Sequence, residues 1–437
     1  MALHDPPGRY VIEGGQPLVG SVRLSGAKNL ANKLMIASLL ASKPCTLQNV
    51  PEIGEIDIVS GIIQATGAHI ERRAETLTID PQSLNQFDLR QVTSNRIPIL
   101  AAGPLLRKTG RAILPAPGGD RIGLRPIDFH LDALTKLGAH VEQQGRFYVL
   151  RADRLRGAMI QLPFPSVGAT ENVLLAATTA EGVTELRNGA IEPEILELVR
   201  FLCALGARIE RTERTYVITG TRELGGADWT VMPDRIEAVS YIALALATRG
   251  EILIEQAGLA AIDAYRPFLD EIGANYELQG SDLRIRGNHR QLRATTITTG
   301  VHPGFLSDWQ QPSAVVLVTA TGDSTIHETV FEDRFGYVRD FRHMGAMIEV
   351  TSGCSPVPCR FDGKGHAHVA TIHGPSQLHG TELELLDIRA GMAHLIAALA
   401  AQGTSVLHGI HHLDRGYGTG LQEKLTRLGA SITRFEH

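Results

Sequence analysis

A short pattern recurs six times along the chain. Each copy contains Gly-Ala, ends a segment with the apolar spacing of an amphipathic helix, and precedes alternating apolar and polar residues, which are typical of a strand. Glycine directly after the last apolar position is typical of a helix C-terminus. The sequence therefore predicts six helix–strand junctions, at TGAHI (66–70), LGAHV (137–141), LGARI (205–209), IGANY (272–276), MGAMI (344–348) and LGASI (428–432).

A second helix, more apolar than the first, is predicted in each of these units. It starts at a polar cluster and continues in small and aliphatic residues, so that it is expected to be buried nearly all round. A segment rich in β-formers follows, such as CTLQNV (45–50). The six predicted helix starts are SGAKN (25–29), TSNR (93–96), PSVGATEN (165–172), PDRIE (233–237), PGFLSDWQQP (303–312) and LDIRAG (386–391).

Together these patterns predict an α/β protein of repeated units. The Gly residues of the six junctions are 71, 68, 67, 72 and 84 residues apart, and such regular spacing indicates repeated supersecondary structure. Six units of strands plus two helices divide into two domains of three. If the buried helices are parallel, their N-termini converge on one region that attracts anions. Four of these helix starts carry a cation, namely Lys28, Arg96, Arg235 and Arg389, and Ser166 is a predicted N-cap at another. This arrangement predicts a site for a doubly anionic small molecule in the cleft between the domains.

Composition narrows the class of protein. The 437 residues are 43% hydrophobic and 20% charged, as in a globular protein of two or three domains. The net charge of −5 argues against a nucleic-acid partner. The N-terminus lacks secretory-signal character and no apolar run is long enough to cross a membrane, so a cytoplasmic protein without membrane association is predicted.

The spacing of the cysteines does not indicate a metal site. We expect neither a metal nor a cofactor. The residues Cys45, Cys203, Cys354 and Cys359 have neither Cys-x-x-Cys nor histidine-linked spacing. Cys203 lies in an apolar helical run and is predicted to pack in the core.

Nine motifs, in order along the chain, resemble those of the enolpyruvyl transferases, specifically the UDP-N-acetylglucosamine 1-carboxyvinyltransferases. They are SGAKN, PGGDRIGLRPIDFH, FPSVGATEN, IEPEI, PDRIEA, HPGFLSDWQ, ETVFEDRF, DIRAG and HHLDRGY. The resemblance implies a two-domain inside-out α/β barrel built from six βαβαββ-type repeats, with the active site in the interdomain cleft. It also implies that residues 28–235, carrying an active-site loop at 115–125, are inserted into a domain made of 1–27 and 236–437.

The implied reaction transfers the enolpyruvyl group of phosphoenolpyruvate to the 3′-hydroxyl of UDP-N-acetylglucosamine, releasing phosphate, as the first committed step of peptidoglycan synthesis. The implied partners are therefore phosphoenolpyruvate and a uridine nucleotide sugar. By the same resemblance the catalytic residues are Asp120, Asp308 and Lys28, with Asp308 as the base for the sugar hydroxyl.

The resemblance also assigns binding residues. Lys28, Arg125 and Arg415 match positions that hold the phosphate, whereas Arg334 and Arg389 match those that hold the carboxylate. The positions matching those that line the nucleotide sugar are Asn29, Arg96, Arg125, Pro126, Ser166, Val167, Gly168 and Val330. Asp387 matches a position that contacts the active-site loop; His130 and Glu192 match polar positions near the substrates.

For two of these acids the sequence supports a second interpretation. Asp308 and Asp387 both precede apolar helices, where an aspartate is commonly an N-cap.

Several positions depart from the family pattern. Asp120 stands where many members have a reactive cysteine that fosfomycin alkylates, so resistance to fosfomycin is expected, with Asp120 as a possible proton donor. Phe164 and Gly54 replace lysines found in some members, and Ile191 replaces an arginine. These changes keep open an alternative acceptor nucleotide, such as UMP in nucleoside-antibiotic biosynthesis. A non-catalytic paralogue is disfavoured because the base and the anion-binding residues are present.

Overall fold

The computed structural model describes residues 8–93, 95–119, 123, 125–287, 291–354 and 359–436. Asp120 therefore lies outside the described residues. Within these ranges the strands are β1 (Arg9–Glu13), β2 (Val19–Arg23), β3 (Cys45–Gln48), β4 (His69–Arg73), β5 (Thr76–Asp80), β6 (Arg111–Pro115), β7 (His140–Gln144), β8 (Phe147–Arg151), β9 (Met159–Gln161), β10 (Val183–Arg187), β11 (Arg208–Thr212), β12 (Thr215–Thr219), β13 (Asp228–Thr230), β14 (Glu251–Glu255), β15 (Asn275–Gln279), β16 (Asp282–Arg286), β17 (Thr296–Thr298), β18 (Gly322–His327), β19 (Met347–Thr351), β20 (Val369–Gly374), β21 (Glu382–Glu384), β22 (Thr404–His408) and β23 (Ser431–Phe435).

The helices in the same ranges are α1 (Lys28–Ala37), α2 (Gly54–Ala65), α3 (Ala102–Thr109), α4 (Asp128–Lys136), α5 (Val167–Ala177), α6 (Pro193–Ala204), α7 (Arg235–Ala247), α8 (Leu259–Ile262), α9 (Arg266–Ile272), α10 (Gln310–Thr319), α11 (Val338–His343), α12 (Ile388–Ala400), α13 (His411–Tyr417) and α14 (Leu421–Arg427).

All six predicted helix–strand junctions are confirmed. Each junction glycine has a positive φ, between 73° and 108°. This backbone conformation causes little steric strain in glycine, because glycine has no Cβ. The strand that follows begins two residues later, as at Gly67 and His69 or at Gly429 and Ser431. The repeated sequence pattern therefore corresponds to a backbone turn that recurs six times in the described residues.

The buried helices are also confirmed, with one shifted start. All residues of α7 are buried, as are all but the last of α12. The start predicted at 93–96 is wrong, because a 3-10 turn at Pro98–Ala101 comes first and α3 begins at Ala102. A proline disfavours helical conformation in the residue before it, which delays the helix. The helix start predicted within 303–312 is confirmed, since α10 begins at Gln310, after a 3-10 turn at Ser307–Trp309.

Strand pairing assigns the N-terminal residues to the C-terminal part of the chain. β1 lies between β22 and β23, antiparallel to both, so that Val11 is opposite Val406 and Thr433. β2 pairs in parallel with β14. In the described part of the chain the strands form six sheets, in the orders β13-β3-β5-β4, β6-β8-β7, β11-β12-β10-β9, β15-β16-β14-β2, β17-β18-β20-β19 and β21-β22-β1-β23.

The chain divides into two compact units, each with its own apolar core. Of the described residues, one unit comprises 8–25, 123 and 233–436, and the other comprises 26–119 and 125–232. In the first, α7, α10 and α12 pack against one another; in the second, α5 packs against α3, α4 and α6. The domain boundary at 28–235 stays a prediction.

One core prediction is wrong. Cys203 is exposed, because α6 turns Leu198, Phe201 and Leu202 toward the core and Cys203 lies on the opposite face.

Candidate functional site

Asp308 is held between two buried arginines. Its Oδ1 accepts a hydrogen bond from Nη2 of Arg334 at 2.5 Å, and its Oδ2 lies 3.6 Å from Nε of Arg389. The side chains of both arginines are less than 10% exposed, whereas that of Asp308 is 24% exposed. The 3-10 turn and α10 have Leu306 and Trp309 at their N-cap positions, so the N-cap interpretation of Asp308 is wrong. Three predicted site residues therefore form one charged cluster.

Arg389 is fixed from several sides. Its Nη1 donates to the Tyr417 hydroxyl at 3.2 Å, and that hydroxyl lies 3.2 Å from Oγ of Ser240. Burial lowers the pKa of Arg389, but Tyr417 and Asp308 more than offset it and the pKa is raised. The guanidinium is thus a permanent, oriented cation.

Glu328 organises the backbone around Asp308. Its Oε2 accepts from Oγ of Ser307 at 2.8 Å and from Nε2 of Gln310 at 2.9 Å. Its Oε1 accepts from the amides of Val330 at 2.8 Å and Phe331 at 3.0 Å. Burial raises the pKa of this carboxyl, against the effect of Arg334. Glu328 ties the turn that carries Asp308 to the segment that carries Val330 and Arg334.

The role of Glu328 was not predicted from the sequence. This acid lies in the ETVFEDRF motif, but the resemblance assigned it no function. The available signal was an acid directly after a predicted strand and beside a predicted site residue, Val330.

Asp387 caps α12. Its Oδ1 accepts from the amides of Arg389 at 2.8 Å and Ala390 at 2.9 Å, so the N-cap interpretation is confirmed for this acid. The cap fixes the first turn of the helix that presents Arg389. Arg415 is half-buried on α13, which packs against α12, two residues before the Tyr417 that contacts Arg389.

The other unit brings together a second group of predicted residues. Nη1 of Arg96 donates to the carbonyl of Arg125 at 2.6 Å. Burial, and secondarily Arg125, lowers the pKa of Arg96 to about 10. His130 is buried nearby; burial and then Arg96 lower its pKa to about 3, so it is a neutral imidazole. Pro126 is exposed beside Arg125.

The two ends of the predicted active-site loop are anchored to one short segment. The amide of Gly118 donates to the carbonyl of Asn95 at 3.2 Å, and Arg96 bonds the carbonyl of Arg125. Asn95 is itself fixed, since its Nδ2 donates to Oε1 of Glu55 at 2.8 Å. Arg125 has a φ of 44°, a strained value for a side chain with a Cβ.

Helix N-termini position the remaining predicted residues of this unit. Ser166 is confirmed as the N-cap of α5, since its side chain accepts from the amide of Ala169 at 3.3 Å. Val167 and Gly168 form the first turn, and a Cβ on Gly168 would lie 3.1 Å from the His130 ring. Lys28 and Asn29 begin α1, both half-buried.

A buried carboxyl group, that of Glu171, lies one turn further along α5, close to two acids at the start of α6. Glu171 is 3.6 Å from Nζ of Lys33. Burial raises the pKa of Glu171 to about 7; Lys33 opposes the shift, whereas Glu194 and Glu192 add to it. Glu192 was predicted to lie near the substrates, but the acid cluster to which it belongs was not predicted.

In the residues that the structure describes, no helix combines the length and the apolar character needed to cross a membrane.

Comparisons with known proteins extend across both units. The profile of a family described as EPSP synthase (3-phosphoshikimate 1-carboxyvinyltransferase) matches residues 12–425. The UDP-N-acetylglucosamine 1-carboxyvinyltransferase of Protochlamydia amoebophila is 40% identical, over 97% of this chain and 94% of its own. The protein of that name from Idiomarina loihiensis is 39% identical, over 98% and 99%.

Solved structures share the fold. The enolpyruvyl transferase NikO from Streptomyces tendae matches with a TM-score of 0.87 and 27% identity, over 98% of this chain and 99% of its own. An EPSP synthase from Acinetobacter baumannii matches with a TM-score of 0.71 and 18% identity, over 98% and 100%.

Proposed function

The chain belongs to the EPSP synthase family of enolpyruvyl transferases, and we propose that it transfers the enolpyruvyl group of phosphoenolpyruvate to the 3′-hydroxyl of UDP-N-acetylglucosamine. This reaction would make it an enzyme of peptidoglycan synthesis. The names of its 39–41% identical relatives support this acceptor over UMP. A cytoplasmic location is part of the proposal, since none of the four cysteines, all of them among the described residues, is in a disulfide.

The proposed reaction requires only a few protein side chains. The acceptor oxygen bonds to C2 of phosphoenolpyruvate while the methylene carbon gains a proton. Loss of that proton and of phosphate then restores the double bond and yields the enolpyruvyl ether. The protein must therefore supply a base for the hydroxyl, an acid for the methylene carbon, and cations for the carboxylate and the phosphate.

The Asp308 cluster is the observation that carries the proposal. The Asp308 carboxylate lies beside two guanidiniums, and a carboxylate is the kind of group that can accept the hydroxyl proton. Nε of Arg334 is buried and has no hydrogen-bond partner among the residues that the structure describes. The planar forks of Arg334 and Arg389 suit a substrate carboxylate.

The other assignments follow the family resemblance. Lys28, Arg125 and Arg415 would hold the phosphate, and Asp120 would deliver the proton to the methylene carbon. The proposed contacts to the nucleotide sugar are those of Asn29, Arg96, Arg125, Pro126, Ser166, Val167, Gly168 and Val330. Asp387 would act through the cap that orients Arg389.

The test is the steady-state kinetics of Asp308→Asn, with phosphate release as the readout. We expect kcat to fall by about 10²–10⁴, the usual contribution of a positioned base, with a smaller change in KM for phosphoenolpyruvate. Asp323→Asn is the matched control, because Asp323 is an exposed carboxyl on β18 of the same unit. A kcat for Asp308→Asn within threefold of that of Asp323→Asn would contradict the assignment.

A further inference from the structure

Two cysteines and two histidines converge at one end of the β17-β18-β20-β19 sheet. Sγ of Cys354 lies 3.1 Å from Nε2 of His368, 3.6 Å from Nε2 of His327 and 3.4 Å from Sγ of Cys359. The four ligand atoms all lie within 4.8 Å of one another. We propose that Cys354, Cys359, His327 and His368 form a structural zinc site.

The spacing agrees with tetrahedral zinc. Zn–S bonds of about 2.3 Å and Zn–N bonds of about 2.0–2.1 Å place the ligands of a regular tetrahedron about 3.8 Å apart for S–S and about 3.6 Å apart for S–N. The distances of 3.4 Å for S–S, and of 3.6 Å and 3.1 Å for S–N, lie close to these values. A disulfide would instead require a separation of about 2.05 Å.

Contacts around the cluster prepare two of the ligands for a metal. Nδ1 of His368 donates to the carbonyl of His366 at 2.6 Å, which leaves Nε2, the atom that points at Cys354, to bind a metal. The amide of Phe361 donates to Sγ of Cys359 at 3.3 Å, as suits a thiolate. The Phe361 ring also packs on His368, with centroids 5.7 Å apart.

The fold explains why the ligands meet although they are far apart in sequence. His327 is the last residue of β18, and His368 directly precedes β20, the neighbouring strand. Cys354 follows β19, which pairs with β20 on its other side. Two thiolates and two imidazoles favour zinc over the hard cations that prefer oxygen. Binding would release the two thiol protons as the Zn–S bonds form.

The site borders the Asp308 cluster through the backbone. His327 immediately precedes Glu328, the acid that holds the turn of Asp308. Arg360, next to Cys359, donates to the carbonyl of Val330 and lies 3.3 Å from a carboxylate oxygen of Glu332. Zinc would therefore fix three strand ends and, through them, the segment that carries Val330.

The first test is metal content, measured on tag-free protein purified under reducing conditions. We expect about one zinc per chain in the wild type and a content at least about tenfold lower in Cys354→Ser. Cys203→Ser, which changes an exposed cysteine of the other unit, should keep the wild-type content. Equal zinc in Cys354→Ser and Cys203→Ser would overturn the proposal.

A second measurement does not depend on how the variants fold. Wild-type protein stripped by a chelator and kept reduced is titrated with Co²⁺, and the visible d–d bands of a tetrahedral S₂N₂ site should saturate at about one equivalent. Added Zn²⁺ should then abolish the bands. Absence of these bands, or a Cys354–Cys359 disulfide in protein that takes up no zinc after reduction, would overturn the proposal.

Discussion

Replacement of Glu328 tests whether one buried carboxylate organises the Asp308 cluster. In Glu328→Ala the two backbone amides and the side chains of Ser307 and Gln310 lose their acceptor. Each buried donor left unsatisfied costs about 1–3 kcal/mol, so the free energy of unfolding should fall by more than about 4 kcal/mol.

Glu328→Gln should be much milder. Its amide oxygen can still accept from the amides of Val330 and Phe331. Its NH₂ group would face the side chains of Ser307 and Gln310. The Ser307 hydroxyl can rotate to accept a hydrogen bond. Oε1 of Gln310 has no partner among the described residues, and it becomes the acceptor if the Gln310 amide flips. Glu328→Gln removes only the negative charge of the acceptor, which should lower the free energy of unfolding by about 1–2 kcal/mol in total.

The assay is thermal unfolding with steady-state kinetics on the same samples. For a unit of this size each kcal/mol shifts Tm by about 2–4 °C, so Glu328→Ala should melt at least about 8 °C below the wild type and Glu328→Gln about 2–8 °C below it. The control pair, Asp323→Ala and Asp323→Asn, should change Tm little, because Asp323 is 71% exposed. Glu328→Ala as stable as Glu328→Gln would refute the reasoning.

Two further predictions concern other parts of the chain. The pKa of Glu171 is about 7 in the folded protein against an ordinary 4.5, so the folded state binds the proton more tightly and loses stability as the pH rises from about 4.5 through 7. The loss is at most about 3.4 kcal/mol, and Glu171→Gln should show a smaller fall in Tm between pH 5 and pH 8; equal pH slopes would contradict the assignment. For fosfomycin, peptide mapping by mass spectrometry should find no adduct at Asp120 in the wild type but an adduct in Asp120→Cys; modification of Asp120 itself would refute the expectation.

The repeats could be predicted from the sequence because they rest on local rules. Glycine is strongly favoured where the backbone takes a positive φ at the end of a helix, and this preference marked all six junctions. Start positions were less certain where proline intervened, as at Pro98. Cys203 was misassigned because its apolar neighbours belong to one face of α6 and Cys203 belongs to the other.

The pairings of the site could not be predicted from spacing. Asp308 and Arg334 are 26 residues apart in sequence, and Glu328 forms hydrogen bonds to both of their segments. The resemblance named both residues but not their contact. His327 and Cys354 are 27 residues apart and meet through strand pairing, so the cysteine spacing alone gave no sign of a metal site.

Product analysis tests the central claim most directly. Purified protein is incubated with phosphoenolpyruvate and either UDP-N-acetylglucosamine or UMP, and phosphate release is followed while product masses are recorded. The account predicts turnover with the sugar nucleotide, one phosphate per enolpyruvyl ether, and none with UMP. Turnover with UMP alone, or with neither acceptor, would contradict it.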